Sequence, residues 1–349
     1  MKVVYHILSL DTIYAGRTIY YGYKHAFEDL GHAFTTYTPH DDLEELLERV
    51  QPDLFMTGLS RPLLKYLNLD LLNRHRKRGM KVFVNLPFWR SPLSRLRVNE
   101  SPSLKDQPEF IRLIQEDQFG DYYFNVCLPG DGRMEGFEAG VGRPYYTIPL
   151  AADHTVLFPE TSERFQADLS YIGTYLPEKR AFFQKNVFPL KKKYDVRLYG
   201  QDWTPWDRFL GVVQRGGQYF NIPILRSLQK PKLALEDERR IYTSSTISIN
   251  VHESYQRTYG DCNERTFKIP LCGGFEVVDD VPSIRAFFKD GEEMVIAKDE
   301  KDWLEKIDYY MRFPEKRHPI IEAGRKVVLE HHTYHHRVQQ LCDLYHGQG

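Results

Sequence analysis

The segment from Asn250 to Glu276, NVHESYQRTYGDCNERTFKIPLCGGFE, sets a strand end, a polar turn, a short helix and a Gly-Gly turn in succession. A buried apolar run ends in His252 and Glu253, and Thr258, Asn263, Glu264 and Arg265 then gather around the start of the next helix. Free backbone amides at a helix start attract phosphate, and an arginine beside them adds a planar fork of charged donors. The chemistry this predicts is the holding of a nucleoside diphosphate. An ordinary strand, loop and helix with a solvated arginine fits the same spacing, because short motifs recur by chance.

A second segment, DLSYIGTYLPEKR, ends a strand at Gly173 and opens a helix near Pro177, with Thr174 in the turn and Lys179 and Arg180 in the first helical turn. A glycine there lets a ligand approach the backbone, and Arg180 is placed to reach a diphosphate. A strand-to-helix turn with a surface charge pair is the plainer account of the same residues. Gly200 in VRLYGQDW repeats the arrangement at the next strand end, and Gly16 precedes the first helix. His6 on the first strand and Asp11 just after it are the candidates for an acid, base or nucleophile, although a lone histidine is more often a hydrogen-bonded structural residue.

The histidines of HHTYHHR form i,i+4 pairs, His331 with His335 and His332 with His336, a spacing able to ligate zinc from one helix face. No cysteine or carboxylate is placed with them, and Thr333 suits the N-cap of a last helix, so no metal site is expected. The chain has no Asp-x-Asp, which disfavours a nucleotide sugar held through a metal and favours a metal-independent mode. Neither GxGxxG nor GxxxxGK[ST] opens the first helix, so dinucleotide and P-loop chemistry lack their fingerprints.

These residues need a scaffold of strands and helices, and the pattern supplies one. In the first half, strand-like runs at 3–8, 34–37, 53–57 and 81–86 alternate with helix-like runs at 17–30, 42–50 and 63–78. Such alternation predicts a parallel sheet covered on both faces. Gly31 reads as the left-handed residue that ends the first helix. Prolines 87, 92, 102 and 108 exclude a continuous helix and suggest a loop over an opening. A linker is expected near 148–165, after which the alternation restarts with strands at 168–172, 196–199, 244–251 and 275–278. Helices are expected at 179–192, 234–243, 264–271, 301–312 and 314–330. The predicted fold is α/β, two Rossmann-like αβα domains facing across a cleft, covering 1–150 and 165–330, with a last helix at 331–349. In open α/β sheets ligands lie beyond the carboxyl ends of the strands.

Composition narrows the partners. Lysine and arginine number 47 against 48 acidic residues, so no global field favours nucleic acid or an anionic bilayer. No run of about 20 apolar residues is present, and the start lacks a secretory pattern, so a cytoplasmic protein without an integral membrane segment is expected. The four cysteines, Cys127, Cys262, Cys272 and Cys342, form no CxxC pair and fit a reducing compartment.

The stretches NERTFKIPLCGGFEVVDD, IRAFFKDGEEMVIAKDEKDWLEKIDYYM and GRKVVLEHHTYHHRVQQL, with YIGTYLPEKR and IPLAAD, resemble the spore-maturation CgeB-like glycosyltransferases. The resemblance covers most of the second half, and the first half matches only in layout. It implies the GT-B fold, a donor nucleotide sugar bound by the C-terminal domain, an acceptor bound by the N-terminal one, and a last helix crossing back. It further implies that Arg180 meets phosphate, that Arg265 approaches the diphosphate, and that Gly273 and Gly274 shape the turn beside the nucleotide. One departure is Lys268, where the family often carries a glutamate that in related enzymes binds ribose; Glu264 is the substitute, or the i,i+4 partner of Lys268. The expected function is transfer of a hexose from a UDP-sugar to a carbohydrate, cell-envelope or exopolysaccharide acceptor, metal-independent, leaning to retention, with no tightly bound cofactor and no nucleic-acid partner. A nucleotide-sugar-binding protein without turnover and a nucleotide-sugar epimerase are the alternatives.

Overall fold

Buried strands without an exposed face should be short, apolar and parallel, and this is how both halves of the chain are built. The computed structural model describes residues 1–10, 15–91, 102–220, 222–228 and 233–348. Asp11, one of the candidate catalytic residues, lies outside the described residues, as does part of the proline-rich stretch.

The chain divides into two units. The first holds residues 1–10 and Gly16–Leu150 together with those from Tyr334 onward, and the second is built chiefly from Ala151–Thr333. In the first unit the order is β1 (Lys2–His6), α1 (Ala15–Asp29), β2 (Ala33–Tyr37), α2 (Leu43–Val50), β3 (Leu54–Gly58), α3 (Arg61–Leu64), α4 (Leu69–Lys77), β4 (Lys81–Asn85), α5 (Pro108–Gln115), β5 (Tyr122–Asn125), α6 (Phe137–Val141) and β6 (Tyr146–Thr147). The strands lie in the order β2-β1-β3-β4-β5-β6, all parallel. Val4, Phe55, Val82 and Val84 on the strands pack against Leu47, Ile114 and Phe137 on the helices.

The second unit runs β7 (Ala167–Ile172), α7 (Pro177–Phe182), β8 (Val196–Tyr199), α8 (Pro205–Tyr219), α9 (Pro223–Arg226), α10 (Leu235–Ser244), β9 (Ser245–Asn250), α11 (Ser254–Tyr259), α12 (Arg265–Leu271), β10 (Glu276–Asp279), α13 (Pro282–Phe287), β11 (Val295–Ala297), α14 (Glu300–Arg312) and α15 (Arg317–His331). Its sheet is also parallel, in the order β11-β10-β9-β7-β8. Leu169, Ile247, Ile249, Val277 and Val295 meet Phe183, Trp303 and Ile307 in one core. The last helix, α16 (Tyr334–Tyr345), packs in the first unit, where Arg337 donates to the carbonyls of Pro149 (2.8 Å) and Leu150 (3.1 Å).

Several elements differ from the sequence expectation for local reasons. The helix expected over 63–78 is two helices, because Asn68 accepts the amide of Leu71 and starts α4 afresh. The helix expected over 179–192 widens after Phe182 and tightens from Phe188, where Pro189 has no amide to continue the pattern. Strand β5, strand β11 and helices α5 and α8 were not expected. Gly31 does end α1 in the left-handed region, at φ 79°.

Gly22 in the middle of α1 is required by the last helix. A Cβ at this position would lie 2.2 to 2.6 Å from the ring of Tyr334, which is fully buried and packed edge-on to Tyr23. Glycine in a helix interior costs about 1 kcal/mol relative to alanine, so Gly22→Ala would ordinarily stabilise. Here the overpacking cost, about 1–3 kcal/mol, outweighs that gain. We expect urea denaturation of Gly22→Ala to show a lowered midpoint with increased protease access to the C-terminal helix; a midpoint at or above wild type would mean that the Tyr334 ring does not depend on this gap.

Candidate functional site

In an open parallel sheet the crevice for a ligand opens where the chain reverses its direction of strand addition. In the second unit that point falls between β7 and β9, and Arg265 occupies it. Its Nη1 donates to the carbonyl of Ile172 at the end of β7 (3.0 Å), and its Nη2 to the carbonyl of Val251 just past β9 (3.3 Å). Its Nε donates to Oδ1 of Asn250 (2.9 Å), and its guanidinium lies 5.1 Å from the ring centre of Tyr171.

Asn250 is the hub of this arrangement. It is fully buried and uses every polar site of its amide: Oδ1 accepts from Arg265 and from Nδ2 of Asn263 (3.0 Å), while Nδ2 donates to Glu276 (2.8 Å) and to Thr266 (3.3 Å). Asn263 in turn accepts the backbone amide of Arg265 (3.0 Å). Next to it, His252 receives the Asn263 amide on Nε2 (3.1 Å) and donates from Nδ1 to Asp279 (2.8 Å), whose carboxylate also takes the His252 amide. Burial lowers the His252 pKa and keeps the ring neutral, and these two bonds fix its tautomer.

The expectation of free amides at the start of α12 is corrected by these bonds. The amides of Arg265, Thr266 and Phe267 are taken by the Asn263 side chain, the Asn263 carbonyl and the Glu264 carbonyl. Glu264 precedes α12 and its carbonyl also accepts Lys268. The side chain of Lys268 forms a buried ion pair with Glu238 on α10, and not with Glu264. Thr258 is exposed on α11 and bonds back to the Ser254 carbonyl.

The glycines divide into two groups. At Gly173 a Cβ would sit 2.7 Å from both Nη1 of Arg265 and the Tyr171 hydroxyl, so glycine makes room for the arginine. At Gly200, with φ +114°, a Cβ would sit 2.4 Å from the Gly173 carbonyl oxygen, so the two strand ends touch through their backbones. Thr174 follows, half-buried, with its carbonyl accepting the Leu176 amide. Gly273 and Gly274 lie elsewhere: they join the far end of α12 to the start of β10, against Pro159 and the Tyr242 carbonyl, at the amino-terminal ends of the strands and not the carboxyl ends where Arg265 sits. The structure does not bring them to the cluster.

Beside Gly173 the first turn of α7 contributes two more cations. Lys179 is 4% exposed, and its ammonium reaches the Tyr171 hydroxyl at 3.4 Å. Arg180 lies 5.5 Å from the ring centre of Tyr175, which stacks on Trp203 at 4.7 Å, and its buried Nε has no hydrogen-bond partner among the described residues. Among the described residues none of Lys179, Arg180 and Arg265 forms an ion pair; the charges of Glu264 and Glu253 act on Arg265 from farther away. Lys179 is the member that sequence reasoning passed over as a surface charge. Its place in the first turn after a strand-end glycine was the available signal.

The reversal point of the first sheet lies between β1 and β3, and there Nδ1 of His6 meets Oγ1 of Thr57 at 3.0 Å. Burial pushes the His6 pKa down to about 4, so the ring is neutral near pH 7 and a poor match for a general base there. Gly16 sits, half-buried, in the first turn of α1. The C-terminal histidines take separate roles: His332 packs on the rings of Phe267 and Phe287, and His335 contacts Asp29 at 3.3 Å. Among the described residues no three His, Cys, Asp or Glu side chains group as a metal-ligand set, and all four cysteines are buried free thiols.

Residues 179–343 match the family model described as glycosyl transferase-like. Similar solved structures share the whole fold. Sucrose-phosphate synthase from Thermosynechococcus elongatus superposes with a TM-score of 0.66 at 10% identity, covering 99% of this chain and 98% of that one. An alpha-glucosyltransferase in complex with UDP and a 13-mer DNA containing an HMU base gives 0.64 at 12% identity, covering 99% of each chain. HepE from Anabaena, in complex with UDP and glucose, gives 0.60 at 11% identity, covering 99% of this chain and 100% of that one. No curated protein matches the sequence. Two parallel αβα sheets and the likeness to these structures show the GT-B fold, and the second half of the chain matches a glycosyl transferase-like family model.

Glu276 supplies a test of the hub. Its carboxyl is buried at the start of β10, accepts from Asn250, and has a second oxygen with no partner among the described residues, and burial raises its pKa to about 8. The folded protein therefore holds this proton across a range where the unfolded chain, with a pKa near 4.5, has released it. Stability from this group is complete below about pH 4.5 and falls as pH rises toward 8. Glu276→Gln keeps the acceptor and removes the titration, so relative to wild type it should gain on the order of a few kcal/mol between pH 4 and pH 9. Parallel urea titrations of the two proteins would measure it; parallel pH profiles would place the Glu276 carboxyl outside the buried network.

Proposed function

We propose that the protein transfers a hexose from a UDP-sugar to a carbohydrate or cell-envelope acceptor, with the donor diphosphate received beside Lys179, Arg180 and Arg265. The observation that carries this reading is the buried Lys179 ammonium beside the Gly173 strand end, bonded to a tyrosine hydroxyl and to no carboxylate among the described residues. A buried charge without a counter-charge is costly, and a diphosphate supplies that counter-charge. Similar structures hold UDP or UDP-glucose, which supports the choice of nucleotide.

As the glycosidic bond to the donor breaks, negative charge grows on the departing diphosphate. Cations already held in place stabilise that state more than the ground state, which is the condition for catalysis. Arg265 is pre-oriented by its bonds to Asn250, Ile172 and Val251, so little reorganisation is needed. Thr174 and the backbone at Gly173 complete the phosphate edge in this reading. The first unit receives the acceptor, the reaction proceeds with retention, and no metal takes part.

Lys179→Ala should weaken UDP binding by about 1.5–3 kcal/mol in calorimetry, with the melting temperature held or raised, because a charged donor to phosphate is lost while a buried charge is relieved. Arg265→Ala should lose UDP affinity and also melt earlier, since it frees two strand-end carbonyls, and Arg265→Lys should restore only part of either. Arg257→Ala, on the exposed side of α11, should leave UDP affinity unchanged. Wild-type affinity in Lys179→Ala would sink this placement of the diphosphate.

The metal-independent reading is checked by assaying sugar release and transfer with UDP-glucose before and after EDTA. Activity should persist after chelation. Complete loss restored by a divalent cation would reverse it.

A further inference from the structure

The turn after β8 encloses a side-chain amide whose oxygen finds no partner among the described residues. Gln201 follows Gly200 directly, is only 5% exposed, and its Oε1 is buried without a hydrogen bond. Its backbone is well tied: the Gln201 carbonyl accepts the Tyr175 amide at 3.0 Å, so the turn after β8 lies along the turn after β7. Trp203 fastens the same two turns, with Nε1 donating to the carbonyls of Gly173 (3.0 Å) and Tyr199 (3.2 Å) and its ring stacked on Tyr175. Arg180 stands over the Tyr175 ring, and its buried Nε also lacks a partner among the described residues. A buried polar group left unpaired costs stability. Two such groups around one tyrosine, past the carboxyl ends of β7 and β8, mark a place for a polar ligand.

Position decides which part of a ligand this is. On the β9 side of Gly173 the side chains of Asn250, Asn263 and His252 are bonded within the protein. With a diphosphate at Lys179, Arg180 and Arg265, the β8 side is left for one of the two groups that the diphosphate joins, nucleoside or hexose. The hexose has to stay open at its anomeric carbon for an acceptor to arrive, whereas the base takes no part in bond breaking and can be enclosed. A nearly enclosed amide therefore suits the base. Uracil offers an N3–H donor beside its O4 acceptor, and a glutamine amide offers the complementary pair, Oε1 accepting from N3–H and Nε2 donating to O4. We infer that Gln201 reads the uracil edge of the donor nucleotide and is a specificity-determining residue of this site. The inference rests on the placement of the diphosphate proposed above.

The test is calorimetry of the full chain with inorganic pyrophosphate, UDP, UDP-glucose and the diphosphate of 3-methyluridine, which lacks the N3–H. Wild type should bind the methylated nucleotide about tenfold more weakly than UDP, the scale of one lost hydrogen bond with its acceptor left unpaired. Gln201→Leu should lose about tenfold for UDP and UDP-glucose alike, keep its affinity for pyrophosphate, and no longer distinguish UDP from the methylated form. Its melting temperature should match or exceed that of wild type, because an apolar side chain replaces an unpaired buried amide. The inference is overturned if wild type binds UDP and its methylated form equally, or if Gln201→Leu binds UDP like wild type. It is overturned as well if the variant loses only UDP-glucose, which would give the amide to the hexose, or loses pyrophosphate too, which would give it to the phosphates. Lys179→Ala separates the two readings. Loss of UDP and pyrophosphate there, with UDP unchanged in Gln201→Leu, would sink this inference alone, whereas wild-type affinity for both in Lys179→Ala would sink the placement of the diphosphate and this inference with it.

Discussion

The second unit depends on one saturated amide. Asn250 sits at the end of β9 with all four of its hydrogen-bonding positions occupied, and through them it fixes Arg265, Asn263, Thr266 and Glu276 at once. A buried polar group of this kind costs stability if any partner is missing and specifies a single arrangement when none is. Arg265 carries the constraint across to Ile172 of β7, so the two strands flanking the reversal of the sheet are joined by one side chain.

That joint explains features that otherwise read as ligand motifs. Gly173 is glycine because Arg265 and the Tyr171 hydroxyl fill the space of its missing Cβ, and Gly200 is glycine because it touches Gly173. The α12 amides are closed off by Asn263 and Glu264, so the electrostatics of the edge come from side-chain cations and not from a helix end. His252 and Asp279 form a neutral ring and carboxylate pair that braces Asn263. Lys268, at the position where a ribose-binding glutamate was the comparison, is spent on Glu238.

The first unit shows the same principle with other residues. His6 and Thr57 tie β1 to β3 at the corresponding reversal, and burial keeps the imidazole neutral. Both candidate histidines of the strand ends, His6 and His252, are thus positioned by hydrogen bonds and held uncharged by burial, a structural use of histidine that suits a rigid floor for a site. Helix α8 departs from this economy, since its apolar side faces outward and its small and polar side faces in.

The sequence by itself determined the two alternating halves, because unbroken apolar runs such as VVYHIL and KVFVNL leave no polar face and demand a parallel sheet covered on both sides. It also determined that Arg265, Asn263, His252 and Gly173 belong to one neighbourhood, since strand ends and the turns after them converge on one edge in such a sheet. It did not determine what those residues bond to. Whether Asn263 takes an amide or leaves it free, whether Lys179 is solvated or buried, and which carboxylate Lys268 meets are set by contacts between residues tens of positions apart, such as Lys268 with Glu238 and Arg265 with Ile172. Local pattern carries no information on such pairs. Gly273 and Gly274 were drawn to Arg265 by closeness in sequence, yet a helix of seven residues carries the chain back to the amino-terminal ends of the strands. Only the tertiary structure decided these, because burial and hydrogen-bond satisfaction are properties of the packed molecule and not of the segment.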